Sequence, residues 1–153
     1  MDNLLRRWLA SGAMTVLLCA LAPAAAQDRS LYQRLGGYDA IAAVVNDFAD
    51  QLFKDPKLEK FFGGMSLDTR KRFKQLNIEM VCGATGGPCE YLGRSMPQAH
   101  QGSGIRDADF DQVAGHLVAT LDKFKVPKKE KDELLAIIGG LFVMEAMSVI
   151  IQV

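Results

Sequence analysis

Apolar residues recur at intervals of three and four along most of this chain, and that spacing limits the fold more than any other feature. Residues 38–53 show it first, and the spacing places their apolar side chains on one face of an α-helix. No stretch alternates in the way of a half-buried strand. The pattern predicts an all-α domain, whose first long helix carries a stripe of Ile41, Val44, Val45, Phe48 and Leu52.

Three more long helices are predicted, and two of them follow the centre of the chain. Ser66 or Asp68 caps the second, which extends to residue 85. Asp107 caps the third, and Pro127 separates it from the fourth. Short turns are expected at residues 30–35 and 54–62. The apolar stripes of the three helices are Phe73, Leu76, Met80 and Val81; then Phe110, Val113, Ala114, Leu117, Leu121 and Phe124; then Leu134, Ile138, Leu141, Phe142 and Met144.

The length and composition fit one globular core and exclude some partners. The chain has 153 residues, of which 49% are hydrophobic and 24% are charged. That is enough for one core and too little for two. Its 18 basic residues are scattered and form no stripe with interleaved aromatic residues. Nucleic acid is therefore not expected as a partner.

The first 26 residues have the order of a secretory signal peptide. Arg6 and Arg7 precede an uncharged apolar run, which ends in the small residues Ala24, Ala25 and Ala26. This order predicts cleavage before Gln27, a domain over residues 27–153 and export, most simply to the periplasm. The alternative is a membrane anchor over residues 8–27, a run about long enough to span a bilayer. A proline at position 23 and the alanines favour cleavage.

Two cysteines, Cys82 and Cys89, remain after such cleavage, because Cys19 leaves with the signal. They flank a turn-forming Gly-Gly-Pro sequence. In an oxidising compartment the simplest expectation is a local disulfide between them. Two free thiols are the main alternative, and the chain has no CxxC redox motif.

The stretch from Gly83 to Asp109 holds too much glycine and proline for a long helix, apart from one turn at residues 96–100. Long loops inside a compact domain are usually functional or organised around another group. Just before it, Asn77 interrupts an apolar stripe. A buried amide without a partner costs about 1–3 kcal/mol, so this side chain needs an explanation.

Familiar catalytic motifs are absent from the sequence: it has no GxSxG, P-loop, HExxH or dinucleotide fingerprint. Cys82, Cys89, His100 and His116 could form a Cys2His2 zinc set, but their spacings of seven, eleven and sixteen residues do not resemble structural zinc loops. His116 lies in mid-helix, where a partly buried imidazole satisfied by a neighbour is expected. His100 ends the turn between the two helix pairs, where one imidazole could reach a planar apolar cofactor.

From residue 30 to residue 149 the chain resembles the group I truncated haemoglobins, and this resemblance implies a globin-like two-over-two helical sandwich. Several glycine and histidine positions agree in order and spacing. The stretches that carry the resemblance are LYQRLGGYDAIAAVVNDF, the pair Phe61 and Phe62, ATGGP, MPQAHQGSGI and DFDQVAGHLVATL.

The resemblance implies a haem b cofactor with His100 as the proximal ligand of its iron. Phe62 would pack against the haem face, and Phe48 would close the pocket. The amide of Asn77 would donate to an iron-bound ligand and have a partner only when the site is filled. The full set of implied cofactor contacts is His100, Phe62, Phe48, Phe73, Asn77, Val81 and Met96.

Two positions depart from the family pattern. Ala49 stands where the family commonly has a tyrosine that anchors oxygen, and Asn77 stands where glutamine is common. Both changes shrink the polar cage around a bound gas. We therefore expect faster oxygen dissociation or easier autoxidation than in relatives that carry the tyrosine.

The resemblance implies a protein that binds oxygen, nitric oxide, carbon monoxide or a related diatomic gas outside the cytoplasm, for transport or for nitric-oxide handling. Nitric-oxide dioxygenation would need an external electron donor of unknown identity, because the chain has no reductase or flavin domain. The alternative is a haem-free helical interaction module of the cell envelope, in which the aromatic stripes are only core.

Overall fold

The fold was analysed in a computed structural model, which describes the backbone of residues 29–150 and the side chains of residues 29–141. No strand occurs in that part of the chain, as the periodicity predicts. Seven α-helices and one 3-10 turn make up its regular structure. In chain order they are α1 (Leu31–Arg34), α2 (Gly37–Leu52), the 3-10 turn Pro56–Leu58, α3 (Glu59–Phe62), α4 (Leu67–Ala84), α5 (Met96–His100), α6 (Asp107–Lys123) and α7 (Lys128–Ile150).

Helix α2 is the centre of the domain and packs against both α4 and α6. Gly36 precedes it with a φ of 97°, a left-handed conformation that favours glycine. The predicted stripe is confirmed, since Ile41, Val45 and Leu52 are buried. Ile41 and Val45 belong, together with residues of α1, α4, α6 and α7, to one apolar core of Leu31, Ile41, Val45, Ile78, Val81, Leu121 and Leu134.

A tight connection links α2 to α4, as the sequence predicts. The Asp55 carboxylate accepts a hydrogen bond from the backbone N–H of Lys57 at 2.9 Å and caps the 3-10 turn. Pro56 occupies the first position of that turn, where no backbone N–H is needed. Leu58 is fully buried and fixes the turn to the core.

Two of the predicted helix starts can now be assigned. Ser66 caps α4 and accepts from the backbone N–H of Thr69 at 3.2 Å, so the cap is not Asp68. The expectation that Asp107 caps α6 is wrong, because Arg106 is the cap residue and Asp107 is already helical. The carboxylate that satisfies the helix start belongs to Asp109, which accepts from the Arg106 N–H at 3.1 Å.

The predicted stripe of α6 is too wide at its ends. Leu121 is buried in the core, whereas Phe110 and Phe124 are 36% and 40% exposed. Both phenylalanines lie near a terminus of the helix, where fewer elements cover the surface. The last helix is confirmed through Ile150, and its pair of glycines at 139 and 140 lies within it. The predictions for Phe142 and Met144 concern side chains outside the described residues.

Among the helices described, none has the length and apolar character needed to cross a membrane. The predicted signal peptide at residues 1–26 and the alternative anchor at residues 8–27 fall outside the described residues.

Candidate haem site

The predicted irregular segment lies between α4 and α6, and its one regular element is α5. Ser95 begins this helix by a reciprocal capping box with Gln98, in which each side chain accepts from the other residue's backbone N–H at 3.4 Å. Pro97 lies in the first turn, where its fixed φ favours the helix. The short helix packs against α7. These local contacts place His100 at the end of one defined turn.

The ring of His100 has a fixed orientation. Its Nδ1 lies 2.9 Å from the carbonyl oxygen of Met96, one turn earlier. A carbonyl only accepts, so Nδ1 carries the hydrogen and, in the neutral ring, Nε2 carries the lone pair. This is the arrangement that a metal-ligating histidine commonly shows, with one nitrogen bound to a backbone carbonyl and the other directed to the metal. Met96 therefore orients the ring through its backbone.

Three phenylalanine rings meet where the α2–α4 connection reaches α4. The centroids of Phe53 and Phe62 lie 5.7 Å apart, and Phe73 lies 5.6 Å from each of them. All three contacts are edge-to-face, the arrangement that aromatic quadrupoles favour. Phe62 and Phe73 were both predicted as haem contacts, and the structure brings them together. We call these three residues the phenylalanine cluster.

Phe53 is the member of this cluster that the sequence did not predict. It directly follows Leu52, the last residue of the α2 stripe, and lies one position outside the helical spacing. Phe61 also contacts Phe62, at 6.4 Å. Phe48 is partly buried on α2 and is not part of the cluster. Within the cluster, the resemblance had indicated Phe62 and Phe73, whereas no sequence signal indicated Phe53.

Asn77 lies on α4 one turn after Phe73 and is partly buried. Its Nδ2 donates to the Phe73 carbonyl oxygen at 2.8 Å. The expectation that this amide has a partner only when the site is filled is therefore wrong. An asparagine in mid-helix can bond to the carbonyl four residues earlier. Apolar periodicity does not reveal such a local partner. The bond uses one of the two N–H groups of the amide.

Two further positions that the sequence singled out are aliphatic and buried. Ala49 is fully buried on α2, and Val81 is 8% exposed on α4. Val81 also borders a partly open cavity of about 40 Å³, which is larger than the space of about 10–15 Å³ that one water needs. Only apolar side chains line it: Leu35, Ala40, Ile41, Val44, Val45, Val81, Leu117, Leu121, Val126, Leu134 and Ile138.

The cysteines and His116 form no metal site with His100. Cys82 and Cys89 are bonded as a disulfide with a Cα–Cα distance of 5.7 Å, as predicted. Within the described residues, no three His, Cys, Asp or Glu side chains are grouped so that they could hold a metal ion. His116 Nε2 lies 2.6 Å from Asp55 Oδ2, which confirms the expectation of a partly buried histidine satisfied by a neighbour. Asp55 itself was not predicted.

The pKa of Asp55 is lowered from 3.8 to about 2, and the largest cause is its hydrogen bond with His116. The capping bond from the Lys57 N–H lowers the pKa further. Asp55 is therefore a carboxylate across the physiological pH range, and it faces α6.

The residues described suit a haem group. His100 presents one imidazole in the tautomer that places the lone pair on Nε2, and the phenylalanine cluster supplies flat apolar surface. Phe73, Asn77 and Val81 recur every four residues on α4 and share one helical face. A planar apolar group with one open metal position needs these components: a single axial nitrogen and a largely apolar wall.

Comparisons with known proteins agree with this assignment. The model of the bacterial-like globin family matches residues 30–146. A group 1 truncated haemoglobin of Mycolicibacterium paratuberculosis is 38% identical over 116 residues, covering 76% of this chain and 83% of that protein. The crystal structure of a 2/2 haemoglobin from a Synechococcus species, in the cyanomet state with covalently attached haem, aligns with a TM-score of 0.66 at 33% identity, covering 72% of this chain and 91% of that chain. The Fe(III) truncated haemoglobin of Tetrahymena pyriformis aligns with a TM-score of 0.67 at 26% identity, covering 73% and 93%.

The all-helical fold and the sequence similarity to these relatives define a haem-binding globin of the two-over-two class. The chain belongs to the bacterial-like globin family, and its relatives place it with the group 1 truncated haemoglobins. Its cofactor is haem with iron, and its activity is the binding of a diatomic gas.

Proposed function

We propose that His100 is the proximal ligand of the haem iron and that the haem lies between α5 and the Phe73, Asn77 and Val81 face of α4. The observation that carries the proposal is the hydrogen bond between His100 Nδ1 and the Met96 carbonyl. It selects the tautomer in which Nε2 is the ligating nitrogen. Haem supplies the gas-binding iron, and the chain supplies the axial nitrogen and the enclosing wall.

The distal side favours a small, weakly polar gas. Ala49 has no hydroxyl to donate, and one of the two N–H groups of the Asn77 amide already bonds to its own helix, so at most one N–H is left for a bound gas. Iron-bound oxygen is polar and gains most from a hydrogen-bond donor, whereas carbon monoxide gains little. We infer that this globin binds oxygen, nitric oxide or carbon monoxide with weak discrimination against the less polar gases. The apolar cavity beside Val81 suits the same ligands, because it offers no polar partner.

We also propose that the protein acts outside the cytoplasm, as a domain that begins at Gln27. The order of basic residues, apolar run and three alanines at residues 1–26 supports export. The disulfide supports it too, since such bonds persist in oxidising compartments. Fractionation of cells that express the full chain, followed by mass spectrometry of the mature N-terminus, tests this. Recovery of the uncleaved chain in the cytoplasm would contradict it.

Absorption spectra test the assignment of His100. The domain from Gln27, reconstituted with haemin, should show a sharp Soret band that shifts when reduced protein binds carbon monoxide. His100→Gly should lose the histidine-ligated spectrum, and added imidazole should restore it by filling the vacated space. His116→Gln is the matched control and should keep the band positions of the unchanged protein. A spectrum of His100→Gly identical to that of the unchanged protein would overturn the assignment.

A further inference from the structure

His116 is the centre of a polar cluster that joins three parts of the fold. Its Nε2 lies 2.6 Å from Asp55 Oδ2, in the connection after α2. Its Nδ1 lies 3.4 Å from Gln51 Oε1 on α2. On α6, one turn before the histidine, Gln112 donates to the same Asp55 oxygen at 2.7 Å. The side chains of His116 and Asp55 are 22% and 8% exposed, so their contact is largely removed from water.

The orientation of each group in this cluster is determined by its neighbours. The Gln51 amide nitrogen donates to Asp47 and to the Thr120 hydroxyl, both at 2.8 Å. Its oxygen must therefore be the atom that faces His116. Both ring nitrogens of His116 thus face oxygen acceptors. The charged groups near the histidine are Asp55, Asp47 on α2 and Lys57 beside the cap, whose Nζ contacts Gln112 at 3.4 Å.

Asp55 joins α6 to the segment that carries two rings of the phenylalanine cluster. One carboxylate oxygen bonds to α6, and the other caps the 3-10 turn through the Lys57 N–H. The turn continues directly into α3, which ends at Phe62. Phe53, two residues before Asp55, contacts the same ring. The segment from residue 53 to residue 62 is thus tied to α6 on one side and supplies two of the three clustered rings on the other.

We propose that His116 is a positioning residue of the haem pocket: through Asp55 it holds residues 55–62 against α6, and so keeps Phe62 in place against the haem. The inference rests on the proposed function, because it takes the phenylalanine cluster as part of the haem wall. His116 does not touch the iron, so its removal leaves the proximal ligation intact. Its removal should instead speed the dissociation of haem and make residues 55–62 less ordered.

The test measures haem loss from the reconstituted protein to an excess of a haem-scavenging apoglobin. His116→Gln, Asp55→Asn and the double variant are compared with Lys131→Gln. That control removes a different ion pair, between Lys131 of α7 and Asp122 of α6. Neither of these residues belongs to the segment. The single variants should lose haem about tenfold faster, the effect of one charge-assisted hydrogen bond. The double variant should be hardly worse than either, because both remove the same contact.

A second measurement separates positioning from general destabilisation. Deuterium uptake of the haem-free chain should rise in residues 53–62 of His116→Gln and stay unchanged in α4 and α7. The Soret position of the loaded variant should match that of the unchanged protein. His116→Asn, which is shorter and cannot reach Asp55 as well, should lose haem faster than His116→Gln.

Three results would overturn the proposal. One is equal haem loss from His116→Gln and Lys131→Gln, and the second is uniform deuterium uptake along the chain. The third is additive effects in the double variant. If the unchanged protein bound no haem, the proposed function would fail first, and the role of His116 would fail with it. Uptake confined to residues 53–62 would then show the linkage to be only structural.

Discussion

The two sides of the proposed haem site, α4 and α5, are built in different ways. The α4 side belongs to the core: Ile78, Val81 and Cys82 of α4 are buried, and α2 packs along the helix. The α5 side has no buried residue in its helix, and residues 101–108 are all exposed. Burial of apolar surface therefore holds the α4 side, whereas local devices hold the turn that carries His100, the proposed iron ligand. Those devices are a capping box, a disulfide and contact with α7.

The two sides should therefore respond differently to single substitutions. A packed wall loses stability when one side chain is truncated, but its other residues remain buried against each other. A short segment held by a few specific bonds loses its order when one of them is removed. Of the changes that distinguish the two sides, removal of the disulfide is expected to have the largest effect.

Removal of the disulfide should weaken the side that has least burial of its own. Closing a loop of about eight residues stabilises a folded chain by about 2–3 kcal/mol in the chain-entropy account. Cys82→Ala with Cys89→Ala should lower the free energy of unfolding by about that amount, measured by urea denaturation. Proteolysis should cut residues 85–106 first. The unchanged protein under reducing agent is the control, and equal urea midpoints for all three samples would contradict the tether.

A hydroxyl introduced on the packed side should change gas release and leave the iron ligation unaltered. Ala49→Tyr should release oxygen about 2- to 12-fold more slowly than Ala49→Phe, since one hydrogen bond is worth about 0.5–1.5 kcal/mol. The phenylalanine variant carries the same ring and so accounts for the added volume. Stopped-flow release into a carbon-monoxide solution measures both rates. Equal rates would show that the side chain at position 49 does not reach the bound gas.

Acid should lower the free energy of unfolding through protonation of Asp55, in the connection between α2 and α4. Its pKa is lowered from 3.8 to about 2 in the folded protein, so the folded state binds this proton less readily than the unfolded state. The stabilisation is complete above the unfolded value and is lost as the pH falls from about 4 through 2. Asp55→Asn should therefore show a shallower fall in stability over that range. Urea midpoints at pH 5, 4, 3 and 2 measure it, and parallel curves would rule Asp55 out.

Asp47 and Asp109 provide a comparison for that acid response. Hydrogen bonds from Lys123 and Lys60, respectively, are the largest cause of the lowered pKa of each carboxyl. Both therefore add to acid sensitivity in the same direction as Asp55. Their own lysine variants, Lys123→Gln and Lys60→Gln, should leave the response of Asp55 in place, because neither lysine bonds to it.

The sequence predicted what depends on local spacing. Apolar periodicity located the four long helices, and the single turn at Met96–His100 follows from its flanking glycines and prolines. The His116 and Asp55 contact was missed because the partners are 61 positions apart, and no local pattern records such a distance. Phe53 was missed because it lies outside the helical stripe. The Phe73 carbonyl that accepts from Asn77 lies only four positions earlier, but the spacing of apolar residues does not show which side chains bond to their own helix.

The five residues of α5 have a consequence for the order in which this protein is assembled. A helix of that length is too short to persist by itself in water, because nucleation is costly and few bonds follow. We therefore expect the turn that carries His100 to form only after the long helices have packed. If His100 binds the iron as proposed, haem should stabilise that turn, so that binding of the cofactor and the final ordering of α5 are coupled. The speed of haem uptake would thus report how often an empty chain already holds that turn.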